Sequence, residues 1–171
     1  MPTVFNAPFQ LPHVYGNKEC TGVASGYTLA AAASWLVTGR AYFPVQGAKR
    51  VSLSGQLKPD NGGNATLQFA VNLAGIVNPA VPNLSAADML IVETDAFAGA
   101  ATGYYGFLLN IYADQPGYFG LYPRSAGPAA PIYEGTFAFC FGSAYGLRLN
   151  CTNKVGSQTV SFEGVTLGLG A

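Results

Sequence analysis

One histidine, three cysteines and eight carboxylates are the groups through which this 171-residue chain could do nucleophilic, acid–base or metal chemistry. Serine or cysteine hydrolysis needs a base beside the nucleophile, normally a histidine. His13 stands between Pro12 and Val14 in a proline-bearing stretch, which suits a surface or contact role, and no Gly-x-Ser-x-Gly occurs. One histidine and three cysteines without Cys-x-x-Cys spacing do not assemble a zinc site. Glycoside hydrolysis asks only for two suitably separated carboxylates, so composition leaves that class open. Glu93 and Asp95 share a face if they lie on a strand, and with Asp88 they offer oxygens to calcium. Asp60-Asn61-Gly62-Gly63-Asn64 also looks like an oxygen-rich loop, but its residue types are fully accounted for as a turn. Strand-end and turn roles are the better reading for all of these. The sequence therefore predicts no catalytic residue, no cofactor and no metal.

Cys20, Cys140 and Cys151 are odd in number and too sparse for a disulfide framework, so free thiols are expected. A hairpin turn near Gly142–Gly146 sets Cys140 opposite Arg148 rather than Cys151. Aromatic residues are the remaining candidates for binding. Tyr104, Tyr105, Tyr112, Tyr118 and Tyr122 are the expected ligand or interface aromatics, with Tyr133 and Tyr145 nearby in sequence and Trp35 reading as core. A tyrosine face suits the apolar side of a sugar, and equally a protein interface.

These residues need a scaffold, and its period is two. Val51, Leu53 and Leu57 alternate with Ser52, Ser54, Gln56 and Lys58, and Ala65, Leu67, Phe69, Val71 and Leu73 repeat the pattern. Pro59 to Asn64 between them supplies turn chemistry, which predicts a hairpin of these two strands. Trp35 to Val45 is β-rich, while Tyr27–Ala33 reads equally as strand or helical turn. Gly75 to Asp88 reads as a loop crossing between sheets, and Met89–Thr94 as a short strand. Tyr104–Ala113 is apolar in both phases, so both of its faces need cover. Tyr118–Tyr122 reads as a short edge strand. Thr136–Phe141 reads as a strand anchoring the core through Phe137, Phe139 and Phe141. Leu147, Leu149 and Cys151 point in while Arg148, Asn150 and Thr152 point out. In the last strand, Thr159 to Leu169, the apolar phase switches between Phe162 and Val165, and a bulge at Glu163-Gly164 restores a single buried face. The whole reads as all-β: an antiparallel β-sandwich over residues 26–171, jelly roll ahead of other topologies. Residues 1–25 form an extended N-terminal arm whose prolines at 2, 8 and 12 keep it out of a central strand.

Only 9% of residues are charged, against roughly 25% in an ordinary soluble domain. So little charge leaves apolar and neutral surface exposed, which predicts self-association or a protein partner. Eight basic and eight acidic residues balance, and Lys49-Arg50 is the one basic cluster, which disfavours nucleic acid. No apolar run is long enough for a bilayer span, and Met1 to Phe9 lacks the pattern of a secretion signal. Assembly in a reducing cytoplasm is therefore expected.

The run Thr159-Val160-Ser161-Phe162-Glu163-Gly164-Val165-Thr166-Leu167 resembles the last strand of jelly-roll carbohydrate-binding modules, though it carries none of their site residues. The sparse charge, the Gly, Ala and Tyr richness and the arm also resemble jelly-roll virion proteins of tailed phages, of the capsid decoration (cement) or fibre-head type. That resemblance implies a non-enzymatic homo-oligomer in the virion, expected to be a trimer that contacts the major capsid protein or another virion protein. Val4, Phe5, Phe9, Leu11, His13 and Tyr15 are the expected arm contacts. The alternative it implies is a carbohydrate- or receptor-binding head, with a glycan as ligand; an esterase or glycosidase ranks third.

Overall fold

A computed structural model describes residues 13–15, 27–29, 34–36, 43–59, 64–74, 89–98, 104–124, 130–154 and 159–170. Their strands are β1 (His13–Tyr15), β2 (Tyr27–Leu29), β3 (Ser34–Leu36), β4 (Phe43–Pro44), β5 (Arg50–Pro59), β6 (Asn64–Ala65) and β7 (Leu67–Ala74). They continue as β8 (Met89–Glu93), β9 (Phe97–Ala98), β10 (Tyr105–Tyr112), β11 (Gly117–Pro123), β12 (Tyr133–Phe137), β13 (Gly146–Asn153) and β14 (Val160–Gly170). One sheet runs β1-β14-β5-β10-β11-β12 with β2 also on β14; the other runs β3-β13-β7-β8 with β4 also on β13. Every ladder is antiparallel.

The pairings nest like brackets. β1 and β2 pair with β14, β3 and β4 with β13, β5 with β10, the short β6 with β9, and β7 with β8. The four main levels fall alternately in the first and second sheets, which is the winding of a jelly roll: one long antiparallel pair rolled into a sandwich. β11 and β12 stand outside the nest, as a hairpin added to the first sheet beyond β10.

Alternation drives the packing. Leu53, Leu109 and Leu167 from the first sheet and Phe69, Val71 and Leu149 from the second are wholly enclosed between the layers. The rings of Phe69 and Phe119 meet across the sandwich at 5.2 Å, and Phe107 sets its ring edge-on to Phe162 at 5.9 Å. In β14 the ladder to β5 shifts between Glu163 and Thr166, and Gly164 takes φ 58°. The extra residue leaves Glu163 and Gly164 outside while Phe162 and Val165 are both buried, as the phase switch requires. Gly55 faces this bulge: a Cβ there would lie 3.0 Å from the Val165 Cα and 3.1 Å from the Glu163 carbonyl oxygen.

Several expectations are corrected. The alternating segments around residues 51–58 and 65–73 are strands but not a hairpin: β5 uses its two edges for β10 and β14, while β7 lies in the other sheet. Turn chemistry fixes a reversal, but open edges decide partners. Conversely, residues 75–88 join neighbours within one sheet, since β7 pairs β8. β11 is interior, between β10 and β12, rather than an edge. The strand expected at Thr136–Phe141 begins earlier, at Tyr133, because β11 offers its ladder from Leu121 to Gly117. The phase is nevertheless right, with Phe141 buried and Phe137 and Phe139 packed on the core. Arg148 stands opposite Asn72, not Cys140.

Tyr27–Leu29, open to either reading, is strand β2, and Trp35 takes the position opposite Cys151 in the β3–β13 ladder. Within the expected arm, His13–Tyr15 lies beside Leu167–Leu169 of the chain's own first sheet. Val4, Phe5, Phe9 and Leu11 lie outside the described residues.

Candidate ligand-binding surface

The solvent face of the first sheet can be read in rows across its strands. One row is Thr166, Ser54, Leu108, Gly120 and Glu134; the next is Gly168, Ser52, Asn110, Tyr118 and Thr136. Apart from Glu134 these rows carry no charge. Ser52 donates its hydroxyl to the Asn110 side chain at 2.5 Å, fixing the centre of the face.

The expected aromatics divide. Tyr105 is inside the sandwich at 7% exposure, its ring edge-on to Phe97 at 5.8 Å, so it belongs to the core. Tyr104 lies under Lys58 Nζ, 5.1 Å from its ring centre, and Tyr112 is at the far end of β10 opposite Arg50. Tyr118 and Tyr122 are brought together. Four residues apart on a strand, their Cα atoms are separated by ~13 Å, yet their hydroxyls hydrogen-bond to each other. Both side chains must therefore lie along β11, tip to tip, over the residue between them. That residue is Gly120, where a Cβ would stand 2.7 Å from the Tyr122 hydroxyl and closer still to that of Tyr118.

Glu134, opposite Gly120 on β12, completes the group by accepting a hydrogen bond from the Tyr118 hydroxyl at 3.1 Å. Loss of water around it, with the hydrogen bond to Glu134, pushes the Tyr118 phenol well above the usual tyrosine range. It stays protonated and able to donate. Sequence reasoning named both tyrosines but missed Gly120 and Glu134. Tyr-x-Gly-x-Tyr on one strand face is a visible signal for the glycine; the carboxylate depends on the β11–β12 register.

The other candidates are occupied or apart. Glu93 on β8 accepts hydrogen bonds from Gln68 and from Lys154 Nζ, the latter 3.1 Å from both carboxylate oxygens. The Gln68 bond, then that of Lys154, holds the Glu93 carboxyl below its usual value. Asp95 is exposed and Asp88 lies outside the described residues. β12 and the edge strand β8 lie near one another, and burial first, then Asp95 and Glu93, raise the Tyr133 phenol. Cys140 and Cys151 are free; burial pushes the Cys151 thiol far up, which makes it inert, and Cys140 Sγ is 3.2 Å from the Gln115 carbonyl oxygen. Cys20 lies outside the described residues. Among the described residues, no three His, Cys, Asp or Glu side chains gather as a metal site, and no helix is long and apolar enough to cross a membrane.

No protein-family model and no curated protein sequence matches this chain. Solved structures do align with it. A protein of unknown function from Shewanella oneidensis MR-1 is 14% identical, with a TM-score of 0.45 over 94% of this chain and 73% of that one. A carbohydrate esterase of the Shiga toxin-encoding bacteriophage phi24B is 9% identical, with a TM-score of 0.44 over 94% of this chain and 87% of that one. The structure of infectious bursal disease virus, Gt strain, is 10% identical, with a TM-score of 0.36 over 99% of this chain and 37% of that one.

Proposed function

We propose that this chain is a non-enzymatic structural subunit of a phage particle, a jelly-roll decoration or cement protein that works through subunit contacts. The observation that carries the reading is a sparsely charged, partly apolar exterior around a buried aliphatic and aromatic core. Met89 and Leu90 on β8 are 55% and 52% exposed, and Ile132, just before β12, is 43% exposed. Eight acidic and eight basic residues in 171 cannot cover such a body with charge. Covering apolar area contributes roughly 25 cal/mol per Å² before the entropy cost of association, so broad contacts of this kind favour stable assembly. The expected partners are further copies of this chain, in a trimer, and the major capsid protein.

Sedimentation of the purified chain, with and without Met89→Lys and Leu90→Lys, tests this. The wild type should be oligomeric at micromolar concentration and should bind particles that lack it, and the double variant should lose both properties. A monomeric wild type that ignores such particles overturns the proposal.

A second reading, a receptor- or carbohydrate-binding head of a fibre or spike, is favoured by one observation: the Tyr118–Tyr122–Glu134 group on the solvent face of an added hairpin.

A further inference from the structure

The hydrogen bonds of the tyrosine group have a direction. Each phenol has one proton to give. Tyr118 gives its proton to Glu134 Oε2, so in the contact between the two hydroxyls it is Tyr122 that donates and Tyr118 that accepts. Both phenolic protons are then committed inside the group. What the group still offers outward is acceptors: a lone pair on the Tyr122 oxygen and the remaining capacity of the Glu134 carboxylate. Beside these acceptors lie two rings stretched along ~13 Å of β11, and Leu108 borders Gly120 from β10.

A ligand matching this surface must place an apolar face on the rings and bring its own hydrogen-bond donors. It must also carry no anionic group, because Glu134 repels one and no lysine or arginine shares these rows. Phosphorylated, sulfated and sialylated ligands fail the last requirement. A flat apolar protein segment fails the second. Neutral sugars meet all three, since their ring C–H faces are apolar and their hydroxyls donate.

From this geometry we infer that the outer face of the β11–β12 hairpin is a binding site for a neutral, hydroxyl-rich glycan, lying along the Tyr118–Gly120–Tyr122 strip with its hydroxyls donating to Glu134 and Tyr122. The inference rests on the second reading above and names its site and ligand class. Thr136 and Asn110, in register with Tyr118, extend the polar border of the strip.

The test is binding of the full-length chain to an array of neutral and acidic oligosaccharides, followed by calorimetry with the best neutral tetrasaccharide. The wild type should bind at least one neutral glycan and none of the acidic ones. Tyr122→Ala and Tyr118→Ala should each weaken that binding about tenfold, as loss of one aromatic contact does. Tyr122→Phe, which keeps the ring, should weaken it only a few-fold. Far-UV circular dichroism and the melting temperature show that each variant is folded, and Tyr104→Ala, outside the strip, should bind as the wild type does. Neutral-glycan binding that survives both alanine variants overturns this site while leaving the receptor reading standing. Binding only to acidic glycans overturns the ligand class in the same way. No binding to any glycan overturns the receptor reading and the inference together.

Discussion

The nested roll and the hairpin added to it share a sheet and a core, yet differ on the side that packing does not control. Inward, β5 and β14 bury Leu53 and Leu167, and β11 buries Phe119 and Leu121 just as completely. Outward, β5 and β14 carry Ser52, Ser54, Thr166 and Gly168, with Arg50 and Lys58 toward the ends of β5 and Glu163 at the bulge, whereas β11 and β12 carry Tyr118, Tyr122 and Glu134. Burial imposes one requirement on every strand of a sandwich, so inward residues report the fold. Outward residues are free of it, and a concentration of aromatic and acidic groups on one hairpin outside the pairing nest is where recognition can be grafted onto a common fold.

The comparison fails if the hairpin is only loosely attached. Phe119 ties it to the opposite sheet through Phe69 at 5.2 Å and to β12 through Tyr133 at 6.0 Å. Phe119→Ala should cost ~3–5 kcal/mol in urea unfolding, as much as or more than Leu53→Ala in the centre of the roll at ~2–5 kcal/mol. A cost below ~1 kcal/mol for Phe119→Ala would make the hairpin an appendage whose core is not shared.

Two glycines sharpen the contrast, because each serves a different side of the sheet. Gly164, at φ 58°, lets β14 bulge and keep both halves of its apolar face inside. Gly164→Val should cost ~1–2 kcal/mol through left-handed backbone strain, measured as a lower denaturation midpoint at unchanged slope.

Gly120 instead keeps a space open for two flexible side chains on the outside. Gly120→Ala should cost under ~1 kcal/mol and separate the tyrosine hydroxyls. The observable is alkaline titration by ultraviolet absorbance. Tyr118 is held above the usual tyrosine value in the folded protein, so wild-type stability falls as pH rises past ~10, where the unfolded chain ionises first. In Gly120→Ala the displaced Tyr118 ring regains water, so its titration should move down toward that value and the alkaline loss of stability should shrink. An unchanged titration would mean that the shelter from water over Gly120 contributes nothing to the shift.

How far the chain can be read without its structure follows the same division. Alternation identified the strand segments and the inward phase of β5, β7 and β13, though not of β10, which is apolar in both phases, and the phase switch between Phe162 and Val165 placed the bulge at Glu163-Gly164, where the ladder to β5 shifts. These are local consequences of burying one face. Pairing was not local: nothing in Pro59 to Asn64 says whether the flanking strands bond to each other or turn into opposite sheets, since that depends on edges supplied by β10 and β14, some 50 and 100 residues onward. The tyrosine strip is only half legible for the same reason. Tyr118 and Tyr122 stood out by type, but Glu134 joins them only through the β11–β12 register, and Tyr105, adjacent in sequence to Tyr104, differs from it by facing in.

The smallest effect expected is at the edge of the second sheet, where an outward carboxylate has partners but no shelter. Glu93 takes hydrogen bonds from Gln68 and Lys154 while exposed, and the Gln68 bond, then Lys154, lowers its pKa from 4.5. A carboxyl lowered in the folded state contributes stability above its unfolded pKa and loses it as pH falls through the folded one. Glu93→Gln should therefore melt slightly below the wild type at pH 7, and the difference should shrink as pH falls below the ordinary glutamate value and vanish once the folded carboxyl is protonated. Raising salt to 1 M at pH 7 should shrink the Lys154 share of the difference, because exposed pairs are screened over ~3 Å at that ionic strength. A difference that does not shrink as pH falls would mean that the substitution disturbs the β7–β8 ladder itself, and that an outward group on the roll matters to the fold as inward ones do.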